Sequence, residues 1–444
     1  MSTVAEPSTA SEIISAVQGG TLTPLAAVEA ALVRAGDAHN LGAIESLFED
    51  EARAEAQQLA TRSDLSTLPL AGLPILVKDN IPVAGHPCRV GSLATDATPA
   101  SEDHEVVARL RAAGAIVLGL TRVPELCVFG TTDNAHGITR NPWNPARTAG
   151  GSSGGSGAAV AAGIVPVAHA ADGMGSIRIP AAVNGVFGLK PGRGRVPAQM
   201  GVDSWGGMSE NGVIARSVAD AARVLAVMAD DADLAEPSEP GPLRITVASN
   251  SPSVLVSVDR QWREALARTA ATLQGAGHAI TEQPFPYPAN PIPLFARWWS
   301  GVATDAAELD FEKLEPRVQR HVKLGRRAQR RGWVKQADAD RMRAAAEHHL
   351  EGHDVLMTPM LAGPAPEAAA WRERSWLANS WANLRYAPYA ALWNMLGWPA
   401  ASVPAGLDRN GMPLAVQLVA RPGSEKLLLQ VAAQLQRLQP WPLR

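Results

Sequence analysis

Cysteine is nearly absent from this sequence: Cys88 and Cys127 are the two thiols among 444 residues, too few for a disulfide framework. Long apolar runs are also missing. The longest, such as 158–168, are rich in Ala and Gly and fall short of a membrane-spanning length. The opening MSTVAEPSTASEII has neither the basic region nor the apolar core of a signal peptide, so a cytoplasmic protein without membrane attachment is expected. Charge of one sign is lacking too. Forty basic and 43 acidic residues leave a formal −3, which gives no global field for capturing nucleic acid or an anionic membrane.

What is present suits a globular enzyme. Hydrophobic residues make up 46% of the chain, with 39 glycines and 34 prolines, enough to bury a large core while making many tight turns. Length alone suggests about three domains, although single α/β domains often run longer. Thr23 reads as an N-cap, followed by Pro24 at the first helical position and then LAAVEAALVRA, so residues 1–65 are expected to form a helical flank. Next, GLPILVKDN at 72–80 predicts a strand over 73–77 with Lys78 at its end, where side chains of open α/β sheets meet ligands. A helix over 103–113, closed by Gly114, and a buried strand over 115–120 complete a strand–helix–strand unit and predict a sheet that is at least partly parallel. LRITVAS from 243, a helix over 259–273 and a weaker strand at 278–281 continue the alternation. The acidic, proline-containing DDADLAEPSEPGP at 230–242 reads as a surface linker or a long loop. RVQRHVKLGRRAQRRGWVK at 317–335 reads as a solvated basic helix face, with capture of an acidic partner or a carboxylate substrate as the other reading. No internal repeat is evident.

The chemistry concentrates in GGSSGGSGAAVAAG at 150–163 and ADGMGSIRIPAAVNGVFGLKP at 171–191. Glycine admits close backbone approach, so successive N–H groups can converge on one anionic oxygen. A phosphate loop would need Lys followed by Ser or Thr after its last glycine, and Ser156-Gly157 stand there instead. The G-x-S-x-G match at 150–154 requires a preceding strand, whereas TRNPWNPARTA carries two prolines and no apolar alternation. His349 and His353 stand four apart, but no glutamate follows the first and Gly352 weakens the helix, so no metal site is expected. His169, in the apolar IVPVAHAA, reads as a core residue or a support behind the site.

With GLPILVKD at 72–79 and both glycine–serine loops, the chain resembles the amidase signature family, whose members use a Ser-Ser-Lys triad. The resemblance extends through PEL at 124–126, TRNPWN at 139–144, DVLMTP at 354–359, GWPAASVPAG at 397–406 and MPLAVQLVA at 412–420, and so covers nearly the whole chain. It implies that Ser176 is the nucleophile, that Ser152 relays its proton after a cis peptide bond, and that Lys78 is the base. A lysine can serve so only when its surroundings lower its pKa from about 10.4. The backbone N–H groups of Gly173, Met174, Gly175 and Ser176 would form the oxyanion hole, and Asp172 and Arg178 would support the loop. Met174 stands where glycine is frequent, and Ala171 where a threonine often precedes the aspartate.

The resemblance further implies one domain over 1–444 with a mixed central β-sheet sandwiched between helices, and residues 291–350 as a helical cover beside the active site. It implies no cofactor and no metal, and it allows a homodimer. Candidate substrate contacts are Cys127, Val128, Trp298, Trp299, Trp381 and Trp393, with Trp376 alongside them. Such tryptophans favour an aromatic or long apolar substrate. The leading expectation is a free-standing hydrolase of small-molecule amides or carbamates. The glutaminase subunit of a tRNA-dependent amidotransferase is the alternative, and a binding protein with a dead site is the third reading, opposed by the intact Lys78, Ser152 and Ser176.

Overall fold

The computed structural model describes residues 9–444. Its strands are β1 (Ile44–Leu47), β2 (Pro74–Lys78), β3 (Ile116–Thr121), β4 (Asp133–Asn134), β5 (Gly137–Ile138), β6 (Val167–Asp172), β7 (Phe187–Lys190), β8 (Glu210–Ala215), β9 (Arg244–Val247), β10 (Ala279–Glu282), β11 (Val355–Pro359), β12 (Ala400–Leu407) and β13 (Pro413–Val419). Apart from the β4–β5 hairpin they form one 11-stranded sheet, in the order β1-β3-β2-β6-β8-β7-β12-β13-β11-β9-β10. β2 runs parallel to β3 and β6, and β9 parallel to β10 and β11, while the other pairings are antiparallel. This is a mixed α/β fold with a large central sheet flanked by helices.

Local sequence explains the elements nearest the site. All of β2 and β6 is buried, so neither strand needs alternation of polar and apolar residues. The helix Gly154–Ala161 between the two serine loops is built from Gly, Ala, Ser and Val alone. A Cβ at Gly155 would crowd the backbone of Ala43 and Arg122, so only glycine lets this helix lie that close to its neighbours. The first turn of the helix Pro24–Asp37 is fixed as its sequence predicts, with Thr23 Oγ1 accepting the N–H of Ala26.

Two features depart from the sequence reading, at residues 44–47 and at Arg317. The N-terminal flank is not wholly helical, because residues 44–47 pair antiparallel with β3 as an edge strand. The stretch 230–242 lies between β8 and β9 in the chain, and both strands belong to the one sheet. Arg317, counted in the basic face, is fully buried and pairs with Asp133 at 3.0 Å. Among the described residues no helix is long and apolar enough to cross a membrane.

Over residues 291–350 lie the helices Ile292–Asp305, Pro316–Arg330 and Gln336–His349. The first two cross closely at Gly325, where a Cβ would run into the carbonyl oxygen of Trp299 and the side chain of Ala303. We expect Gly325→Ala to lower the unfolding free energy by about 1–3 kcal/mol through overpacking. Gly36→Ala, in a helix with open space around it, should instead raise stability by roughly 0.5–1 kcal/mol. Urea denaturation of both variants checks the opposite signs.

Candidate active site

Lys78 closes β2 and is 1% exposed. Its backbone N–H donates to His169 Nδ1 at 3.2 Å, and His169 Nε2 lies 2.9 Å from Asn211 Oδ1. Since Nδ1 accepts, Nε2 carries the proton and donates to Asn211. Burial pushes the imidazole pKa down to about 3. His169 is therefore a neutral strut tying β2, β6 and β8 together behind the lysine.

The Lys78 ammonium donates to Ser152 Oγ at 2.8 Å and to the carbonyl of Ala171 at 2.9 Å. It has no salt-bridge partner among the described residues. Burial lowers its pKa below the ordinary lysine value, opposed in part by Cys127 and Asp172. Ser152 is buried and follows a cis Gly151–Ser152 peptide bond. Its neighbour Ser153 joins the two serine loops: its N–H donates to the Ser176 carbonyl at 3.2 Å and its hydroxyl to the Ala171 carbonyl at 3.1 Å. Ala171 thus contributes through its backbone oxygen, where a threonine would have added a hydroxyl.

The second loop turns on Asp172. One carboxylate oxygen accepts the N–H of Gly175 at 2.5 Å and the other that of Ile177 at 3.2 Å. Arg178 grips both oxygens, Nε to Oδ2 at 2.9 Å and Nη2 to Oδ1 at 3.1 Å. The same guanidinium donates to Asn394 Oδ1, Gln417 Oε1 and the Ala390 carbonyl. Burial alone would raise the Asp172 pKa, but Arg178, with help from Lys190 and Asn394, holds it well below the usual carboxylate range.

The Gly175 N–H, counted in the expected oxyanion hole, is engaged by Asp172. The N–H groups of Gly173, Met174 and Ser176 have no hydrogen-bond acceptor among the described residues. Ser176, 7% exposed, lines a pocket together with Lys78, Ser152 and Gly173. No hydrogen bond joins its Oγ to Ser152 Oγ among the described residues, and such bonds in empty active sites commonly tighten only around substrate.

The proposed substrate contacts scatter. Cys127 is on the pocket wall, its thiol pKa raised by burial despite the opposing effects of Lys78 and Ser152. Val128 is buried beside it in a second apolar cluster. Trp298 and Trp299 pack in that cluster, against His321 and Phe295. Trp376 donates its indole N–H to His321 at 3.2 Å, Trp381 is 47% exposed, and Trp393 is wholly buried near Trp398. None of these five tryptophans lines the pocket. The ring that does is Trp205, and Asn80, Met200 and Asp305 line it as well. Asn80 sits two residues beyond Lys78 and could have been suspected. Trp205 and Asp305 carry no signal in their local sequence.

A buried lysine bonded to one serine and sharing a pocket with a second, set on this sheet, defines a hydrolase of amide C–N bonds. The model of the Amidase family matches residues 26–429. AmiB2 of Mycobacterium tuberculosis (strain ATCC 25618 / H37Rv) is 40% identical over 407 residues, covering 89% of this chain and 88% of that protein. The 6-aminohexanoate-cyclic-dimer hydrolase of Paenarthrobacter ureafaciens is 35% identical, with 86% of each chain covered. A solved structure of 6-aminohexanoate cyclic dimer hydrolase with substrate superposes with a TM-score of 0.88 at 30% identity, over 98% of this chain and 97% of that one. The chain belongs to the Amidase family, the amidase signature enzymes.

The buried ion pair supplies the stability test. Arg178→Ala leaves the Asp172 charge unpaired and should cost about 3–5 kcal/mol. Because the folded Asp172 pKa is depressed, the pair's stabilisation is complete above the unfolded value of about 3.9 and is lost as pH falls towards the folded one. Urea titrations at neutral and acid pH should therefore find the gap between wild type and variant narrowing only on the acid side.

Proposed function

We propose that Ser176 attacks the amide carbonyl while Ser152 passes its proton to Lys78. The observation that carries this reading is the 2.8 Å bond from the Lys78 ammonium to Ser152 Oγ, in a buried setting where the lysine has no salt-bridge partner among the described residues. A lysine so placed is cheaply neutralised, and a neutral amine can take up a proton relayed through a hydroxyl. The oxygen of the tetrahedral intermediate is held by the N–H groups of Gly173, Met174 and Ser176, which are free to donate. The Lys78–Ser152 relay returns the proton to the nitrogen as the C–N bond breaks, releasing an amine and leaving an ester on Ser176. Water then attacks that ester under the same base, freeing the acid and restoring Ser176.

A carbamate carbonyl fits the same cycle, so urethanes are included among candidate substrates. The related hydrolase named for the 6-aminohexanoate cyclic dimer favours an oligoamide. We take the protein to be a free-standing cytoplasmic enzyme that needs neither ATP nor a partner subunit, and turnover of an anilide by the purified chain tests this against a glutaminase subunit.

Ser176→Ala should abolish turnover with the fold intact, and a fluorophosphonate should label wild type at Ser176. Labelling at Ser153 or Ser156 instead would overturn the assignment. Ser152→Ala and Lys78→Ala should each cost several orders of magnitude, with the double variant little worse than either alone, as residues acting in one relay are not additive.

The pH profile separates lysine from histidine. Only neutral Lys78 accepts a proton, so kcat/KM should rise with pH through a midpoint below the ordinary lysine value of about 10.4. His169, with its pKa near 3, is already neutral there, and His169→Asn should leave the midpoint in place. Loss of that limb in His169→Asn, with near-normal activity in Lys78→Met, would require a Ser-His mechanism.

A further inference from the structure

The pocket beside Ser176 is mostly apolar, walled by Val90, Leu126, Met200, Trp205 and Leu309, yet it also receives the carboxylate of Asp305. This residue ends the helix Ile292–Asp305 of the cover. One oxygen accepts the Val202 N–H at 2.8 Å, and the other the Trp205 indole N–H at 2.8 Å. Both donors are neutral, and Asp305 has no salt-bridge partner among the described residues. Each carboxylate oxygen can accept more than one hydrogen bond, so acceptor capacity remains. Burial has pushed the Asp305 pKa up to about 6, against the hydrogen bonds from Val202 and Trp205.

A second polar atom of the same pocket is unmatched in the same sense. Asn80 donates its Nδ2 to Met200 Sδ at 3.1 Å, leaving its buried Oδ1 without a hydrogen-bond partner. The two ends of the pocket thus differ in kind. The free groups at Gly173 and Ser176 are backbone donors, suited to a carbonyl oxygen, and those at Asp305 and Asn80 are acceptors, suited to a donor. Trp205 spans the gap. The outer edge of its six-membered ring lies 2.6–2.7 Å from where a Cβ on Gly173 would fall, and its pyrrole N–H is the group that reaches Asp305.

We propose that Asp305 is a specificity determinant that binds a substrate ammonium group, held about one indole's breadth from the scissile carbonyl by a flexible apolar chain lying along Trp205. The substrate class is that of amides of ω-amino acids with a free terminal amine. A charged donor completes the unpaired carboxylate, the methylenes meet the apolar wall, and the amide oxygen reaches the Gly173 end. This inference rests on the Ser176 reading, because it places the carbonyl at that end.

The test compares the p-nitroanilides of 6-aminohexanoic acid and heptanoic acid, which differ by an ammonium in place of a methyl group. Wild type should favour the ammonium substrate about tenfold in kcat/KM, the scale of a hydrogen bond to a charged group. In Asp305→Asn that ratio should fall to about one, whatever the absolute rates, because the charge-assisted part of the contact is gone. Equal rates in wild type would overturn the inference without any variant, and so would a preference retained in Asp305→Asn. Failure to cleave either anilide, together with no fluorophosphonate labelling of Ser176, would overturn the Ser176 reading beneath it.

Discussion

The pairing of Asp172 with Arg178 is the contact on which the active loop depends. Two opposite charges removed from water must satisfy one another and every remaining polar atom, or the loop that carries them opens. Here the demand is met from four directions. Asp172 ends β6, Arg178 begins the helix after the loop, Asn394 belongs to the short helix Ala391–Leu396, and Gln417 comes from the centre of β13. The guanidinium fork is suited to this task because its donors diverge in a fixed plane. Holding both carboxylate oxygens fixes the backbone of residues 173–177, and so determines which N–H groups are left to face the pocket. The Gly175 N–H is consumed in building the loop, while those of Gly173, Met174 and Ser176 have no acceptor among the described residues.

Lys78 obeys a different constraint. Its charge is supported by two neutral oxygens, from Ser152 and Ala171, and by Asp172 at a distance, with no salt bridge among the described residues. Its backbone is held by His169, itself kept neutral by burial. A permanent charge is thus used where the loop must be rigid, and a cheaply discharged one at the end of β2. The two arrangements meet at residues 171 and 172, adjacent positions on one strand.

The parts of this site legible in the sequence were those whose physics is local. A short apolar strand ending in lysine, and glycine runs around serine, announce themselves within ten residues. The rest depended on distant partners. Arg317 read as solvated because its counterion, Asp133, is 184 positions away. Residues 44–47 read as part of a helical flank because a four-residue strand has little pattern of its own, and what makes it a strand is its neighbour β3. The tryptophans misled for a related reason: a large ring packs equally well between helices or along a pocket, and its direction is set by how those helices cross. Trp205 stood in a glycine-rich stretch with no helical or strand periodicity, and at φ 57° it occupies a backbone region unusual for a large side chain.

The strand order has a consequence for the timing of activity in a chain made from its N-terminus onward. Lys78, Ser152 and Ser176 emerge early, and β2, β6, β8 and β7 can align soon after. The sheet is not continuous until β12 and β13 slot between β7 and β11, more than two hundred residues later in synthesis. Asn394 and Gln417, which complete the Arg178 cradle, arrive with that late segment. A nascent chain carrying all three side chains therefore still lacks the contacts that complete the Arg178 cradle, so the loop bearing Ser176 is fixed only once the last strands of the sheet have been made.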